Sequence, residues 1–298
     1  SIALQDLKDK TKKKILENKT KNILASLTES EFKLEDIFLL GNGFYGNITK
    51  KGFDKLRKYP EIFDITLNRY VSAKLIESRS IINANSVNSV GYSGLHQTAC
   101  VIDSGIDYTH PALGGCFGAA CKVRGGWNYY DGNGGNSETM DKANHGTLVA
   151  GIISSENSDI RGIAPASKLV ALRVCDDSGT KCRIDKIVQA LQYCYSTRNI
   201  YNISVVSISL GEGEYTSSNC PTDSMTELND LYSVGIPVVA SSGNEGLTNG
   251  INWPACRDNV LSVGAVYDGN FGREPDLGLY SPALCLDDNA QADTMTCF

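Results

Sequence analysis

The chain has 298 residues, of which 41% are hydrophobic and 21% charged, and carries a net charge of -6. That is length enough for one large α/β domain and a small companion, while no stretch approaches the roughly eighteen continuous apolar residues of a membrane-spanning helix. The charge is uneven: residues 1–75 hold 15 Lys and Arg against 10 Asp and Glu, and residues 76–298 hold 13 against 24, so two oppositely charged pieces are expected to attract each other.

The sequence opens on Ser1-Ile2-Ala3-Leu4, without methionine and without the charged-then-apolar profile of a leader; a removed signal or a fragment is expected. Lys8 to Lys21 alternate with Leu7, Ile15, Leu16, Ile23, Leu24 and Leu27 at helical spacing. This predicts a solvated helix over 8–27, not a nucleic-acid surface. Strands follow at 32–40 and 43–48 around the hairpin signal Gly41-Asn42-Gly43, then a helix at 49–58 and a strand at 61–67. Residues 1–75 thus read as a small α+β domain.

From residue 76 the pattern changes. Strands at 99–103, 168–174, 203–209, 236–240 and 260–266 alternate with helices at 145–154, 184–197 and 222–234, and Ile184, Ile187, Val188 and Leu191 share one helix face. Strand and helix alternating in this way predict a doubly wound, mostly parallel sheet. No Gly-x-Gly-x-x-Gly opens a helix after its first strand, which argues against a dinucleotide site.

Three segments carry polar chemistry at element ends. Thr98-Ala99-Cys100-Val101-Ile102-Asp103 is a buried strand delivering a carboxylate at its C-terminal edge, where open α/β sheets place their sites. Asn144-His145-Gly146-Thr147 opens a helix that continues with only Leu, Val, Ala, Gly and Ile to residue 153. It is expected to be buried all round, with Asn144 as N-cap and a neutral His145 in the first turn. Ser241-Ser242-Gly243-Asn244-Glu245-Gly246 follows a third strand and presents an amide.

All ten cysteines lie at or after Cys100, as expected for a disulfide-stapled exported domain. Cys116 with Cys121 and Cys175 with Cys182 are expected as local bridges, Cys220 with Cys256 and Cys285 with Cys297 as longer ones, and Cys100 and Cys194 as buried thiols.

Asp103-Ser104-Gly105, His145-Gly146-Thr147-x-Val149-Ala150-Gly151 and Ser242-Gly243-Asn244-Glu245-Gly246, in that order, with Gly162-Ile163-Ala164-Pro165 and Ser207-Ile208-Ser209-Leu210-Gly211 between them, closely resemble the subtilisin-like serine proteases. The likeness covers nearly the whole chain. It implies that Asp103 orients His145, that His145 takes the proton of a serine, and that Asn244 donates its amide to the oxyanion. It also implies substrate binding at Ser207, Ser209, Leu210, Gly211, Ser242 and Gly243, with the substrate added as a strand.

Residues 1–75 resemble the family's inhibitory, ferredoxin-like propeptide, carried by Tyr45-Gly46-Asn47-Ile48-Thr49 and Leu56-Arg57-Lys58-Tyr59-Pro60-Glu61. The family's opening strand is missing, and self-cleavage is expected between Tyr70 and Glu77. After Asn244 only Ser262 and Ser281 remain, neither at a Gly-Thr-Ser helix start. The peptidase domain at 76–298 is therefore expected to be C-terminally incomplete and the chain inactive as it stands.

The resemblance further implies a secreted, monomeric zymogen acting on protein or peptide substrates, with its own propeptide as partner and no cofactor required. A calcium site is doubtful, because Ala112 stands where the family often has an aspartate. Glu212 and Glu214 follow Ser209-Leu210-Gly211 and would favour basic residues in the first specificity pocket. Two other readings stay open: a non-catalytic peptide-binding descendant, and a metal-dependent hydrolase using Asp103, Asp107, His110 and His145.

Overall fold

A computed structural model describes residues 14–15, 17–38, 43–62, 65, 75–130, 138–222, 225–270, 272–274 and 287–296. The chain divides into two compact units, Ser1–Val71 and Ser72–Phe298.

In the first unit the lysine-rich stretch is helical over 17–24 (α1). β1 (Phe32–Phe38) and β2 (Gly43–Ile48) pair antiparallel, Phe32 opposite Ile48; residues 41 and 42 of the turn expected between them, and residues 70–74 of the cleavage region expected between Tyr70 and Glu77, lie outside the described residues. α2 (Lys50–Leu56) starts where Thr49 Oγ1 accepts the Gly52 N–H at 3.2 Å, a side-chain cap of the usual kind. Glu31, buried at the base of the hairpin, pairs with Lys51 at 2.9 Å and Lys55 at 2.7 Å and accepts the Thr28 N–H. The strand expected at 61–67 is not formed at residues 61, 62 and 65, and its other positions are not described.

The second unit begins with two short helices that the sequence did not announce, α3 (Leu75–Ile81) and α4 (Ala84–Ser89). Then come β3 (Thr98–Asp103), β4 (Val123–Asn128), α5 (His145–Ser154), β5 (Lys168–Arg173), α6 (Ile184–Tyr201), β6 (Ile203–Ile208), β7 (Glu212–Tyr215), α7 (Met225–Ser233), β8 (Val238–Ser241), β9 (Ile251–Trp253), β10 (Val260–Val263), β11 (Gly272–Glu274) and β12 (Asp287–Ala290). Six of these strands form one parallel sheet in the order β10-β8-β6-β3-β5-β4. This is the expected mostly parallel α/β architecture. β10 stops at Val263, short of the expected 266; α7 is described from Met225.

β3 is covered on both faces, which is why its sequence is a continuous apolar run with no polar alternation. Ala99 and Val101 pack with Ala150, Leu169 and Ala171 on one side, and Cys100 and Ile102 with Val170, Leu172, Leu191 and Cys194 on the other. The chain leaves β3 for β4 and β5 on one flank and returns to β6, β8 and β10 on the other. The strand order therefore reverses at β3, and the carboxyl end of such a strand is where an open sheet leaves a crevice.

Cys116–Cys121, Cys175–Cys182 and Cys220–Cys256 are bridged as expected. The buried-thiol reading of Cys100 and Cys194 is overturned: they form a disulfide tying β3 to α6 across 94 residues. Both sulfurs sit in the same core with their Cα atoms 6.2 Å apart, within bridging range. Cys285 and Cys297 lie outside the described residues.

Candidate active site

Asp103 ends β3 and His145 begins α5, so the fold brings a strand terminus and a helix start to the same edge of the sheet. Asp103 is 1% exposed, and its Oδ1 lies 2.7 Å from His145 Nδ1. A carboxylate can only accept, so Nδ1–H donates and Nε2 is left as the ring's acceptor. Oδ1 also accepts the Ser104 N–H at 2.7 Å, while the buried Oδ2 has no hydrogen-bond partner among the described residues. Asp103 raises the pKa of His145 above its ordinary 6.5 through that hydrogen bond, against partial desolvation, and the Asp103 and Asp141 charges add to the rise. The Asp103 carboxylate thus opposes the helix dipole, which on its own favours the neutral ring.

The start of α5 differs from expectation in two ways. Asn144 adopts a left-handed conformation (φ 69°) and makes no side-chain cap. The first helical N–H groups go instead to Ser104 Oγ, which accepts from Gly146 at 2.9 Å, and to Asp141 Oδ2, which accepts from Thr147 at 2.9 Å. Nor is α5 buried all round. Gly146, Ala150 and Ser154 form its buried stripe, while Leu148 is 68% and Ile152 52% exposed. Gly146 is needed for the approach, because a Cβ there would overlap the Gly105 carbonyl oxygen and crowd Asp103 Oδ1 at 3.1 Å.

The other expected site residues lie on two segments at the same strand ends. Ser207 stands inside β6, opposite Val101 of β3 and Val239 of β8. Its backbone is part of the sheet ladder, so the stretch past the strand is Ser209, Leu210 and Gly211. Ser242 donates to Val263 O at 2.9 Å and accepts the Asn252 N–H at 2.8 Å. Asn244 is exposed, and its own N–H donates to Glu245 Oε2 at 2.9 Å.

Asn252, which the sequence did not single out, joins the two segments. Its buried side chain leaves no room for a Cβ on Gly211 or Gly243, lying 2.8 Å and 2.6 Å from those positions, and its Nδ2 donates to Gly213 O at 2.5 Å. It does so from β9, which pairs with β7. Only the folded register reveals that meeting.

The residues of the metal-hydrolase reading are not assembled as ligands. Asp107 Oδ1 accepts the N–H and hydroxyl of Thr109, and His110 Nδ1 accepts the Ala112 N–H. Among the described residues no group of three or more His, Cys, Asp and Glu side chains is placed to hold a metal ion. Ala112 offers calcium no side-chain oxygen, and its carbonyl accepts the Glu156 N–H at 2.8 Å. Among the described residues no serine hydroxyl hydrogen-bonds to His145.

A parallel sheet with a buried Asp103 bonded to an exposed His145 at its switch point defines an α/β protein with a proton-transfer group at that edge. Residues 95–296 match the subtilase family (peptidase S8), and the chain belongs to it. It is 30% identical to subtilisin E of Bacillus subtilis (strain 168) over 82% of this chain and 61% of that protein. It is 35% identical to a subtilisin of Bacillus pumilus over 64% of each. The solved structure of sphericase superposes with a TM-score of 0.51 at 25% identity, covering 67% of this chain and 60% of that one. The chain spans about three fifths of the length of the first of these relatives.

Proposed function

We propose that residues 76–298 form the acid–base part of a subtilisin-like serine endopeptidase. The observation that carries this is the 2.7 Å contact between Asp103 Oδ1 and His145 Nδ1 at the switch point of the sheet. Asp103 fixes the tautomer, and His145 Nε2 accepts the proton of an attacking serine hydroxyl and returns it to the leaving amine. The Asn244 amide donates to the oxyanion, a contribution on the order of 10²- to 10³-fold in kcat. Ser209 to Gly211 and Ser242 to Gly243 hold the substrate backbone. No cofactor takes part.

The chain itself supplies no nucleophile to this pair, so it binds peptide and does not cut it. The contacts of His145 support this, since no described serine reaches it. Residues 1–75 act as an inhibitory, chaperone-type propeptide of a self-processed, secreted, monomeric zymogen; a separate compact unit ending at Val71 agrees with that division. The cleft favours basic side chains. Residues 199–256 contain six Asp and Glu, Glu212, Glu214 and Glu245 among them, and no Lys, Arg or His.

Two measurements on this chain test the reading. A fluorogenic peptide series ending in Lys, Arg, Phe or Glu should be released no faster than by the His145→Ala variant, whereas serine-dependent turnover would overturn the missing nucleophile. The same peptides as free acids should shift amide resonances of Ser209 to Gly211 and Ser242 to Asn244, basic ones most strongly. Shifts confined to other surfaces would overturn the assignment of the cleft.

A further inference from the structure

We propose that Asp141 is the positioning residue that locks the Asp103–His145 pair, holding the loop after β3 and the first turn of α5 on one buried carboxylate. The inference rests on the peptidase reading above for why that pair matters.

Asp141 is 7% exposed and has no basic partner among the described residues. Its carboxylate is nevertheless fully engaged. Oδ1 accepts the Ser104 hydroxyl at 2.9 Å, the Ala143 N–H at 2.9 Å and the Asn144 N–H at 3.0 Å. Oδ2 accepts the Thr147 N–H at 2.9 Å and the Thr147 hydroxyl at 2.6 Å. These five donors come from both sides of the site. Ser104 follows Asp103 directly, while Asn144 and Thr147 bracket His145. The Ser104 hydroxyl completes the lock by accepting the Gly146 N–H as it donates to Asp141. The two residues of the pair are therefore fixed by their immediate neighbours on one anion, which charge-assisted hydrogen bonds make a stiff anchor.

The charge matters besides the geometry. Asp141 is a second carboxylate beside the imidazole after Asp103, and it favours the imidazolium. The ammonium of the neighbouring Lys142 pairs with Asp177 at 3.2 Å. Protonated His145 is then stabilised by one carboxylate that touches it and one that holds its helix, which suits a ring that must take up a proton during the reaction.

Histidine-selective NMR of the chain as it stands, needing neither substrate nor nucleophile, tests the inference. Asp141→Asn should lower the His145 pKa, because it removes one neighbouring negative charge, and should broaden the downfield Nδ1–H signal. Asp141→Glu should recover part of the pKa. Ser104→Ala keeps the Asp141 charge while cutting the bridge, so it should weaken the Nδ1–H signal with much less change in pKa, and it serves if Asp141→Asn does not fold. A His145 pKa and Nδ1–H signal unchanged in both Asp141→Asn and Ser104→Ala would overturn the role of Asp141. A wild-type chain with no Nδ1–H signal would instead remove the Asp103–His145 pair itself.

Discussion

A carboxylate that gains partners on folding gives up its proton earlier, and Glu31 shows this in the first unit. Its ion pairs with Lys55 and Lys51 and the Thr28 N–H hold its pKa at about 2, down from an ordinary 4.5. The sign follows from linkage: its contribution to stability is fully present above about 4.5 and is lost as pH falls toward about 2. Acid unfolding of residues 1–71, followed by circular dichroism, should therefore lose part of its pH dependence in that window in Glu31→Gln. An acid profile identical to the wild type would contradict the ion-pair cluster. Asp103 and His145 were legible in the sequence because each interrupts or heads an apolar run at an element end, where a titratable group is costly unless it is used. Asp141, Ser104 and Asn252 were not, because each looks like an ordinary polar loop or strand residue until the fold supplies its donors.

Elements were legible wherever burial was two-sided. β3, β5, β6 and β8 read as strands because both faces are covered and their sequences stay apolar. β4 did not, since Val123-Arg124-Gly125-Gly126-Trp127-Asn128 carries two glycines that depress strand propensity, and its pairing with β5 decides its conformation. α5 was legible as a helix and misread as fully buried. Apolar composition does not distinguish the stripe of Gly146, Ala150 and Ser154 from the outward Leu148 and Ile152, because packing is settled by what faces the helix. The Cys100–Cys194 bridge was hidden for the same reason: two apolar elements each carried a cysteine, and only the docking of α6 on β3 aligns them. Replacing both by alanine should cost about 2–5 kcal/mol, lowering the thermal midpoint of the second unit by roughly 5–15 °C. A change of less than about 2 °C would contradict a covalent tie at that position.

At the scale of the molecule, fold and site are linked by the order of strands. Because β3 lies where that order reverses, its carboxyl end is where an open sheet places its site, and α5 starts there with His145. Family membership follows from residues 95–296; what the chain does with its Asp–His pair depends on whether that pair is formed and electrically coupled. The pairing raises the His145 pKa in the folded state, so its stabilising contribution is complete below about pH 6.5 and is lost as pH rises through the raised value. The most direct measurement is the titration of His145 in the folded chain by NMR, compared with Asp103→Asn. The account predicts a pKa above 6.5 with a downfield Nδ1–H signal in the wild type, and loss of both in the variant. A wild-type pKa at or below 6.5 that Asp103→Asn leaves unmoved would contradict it.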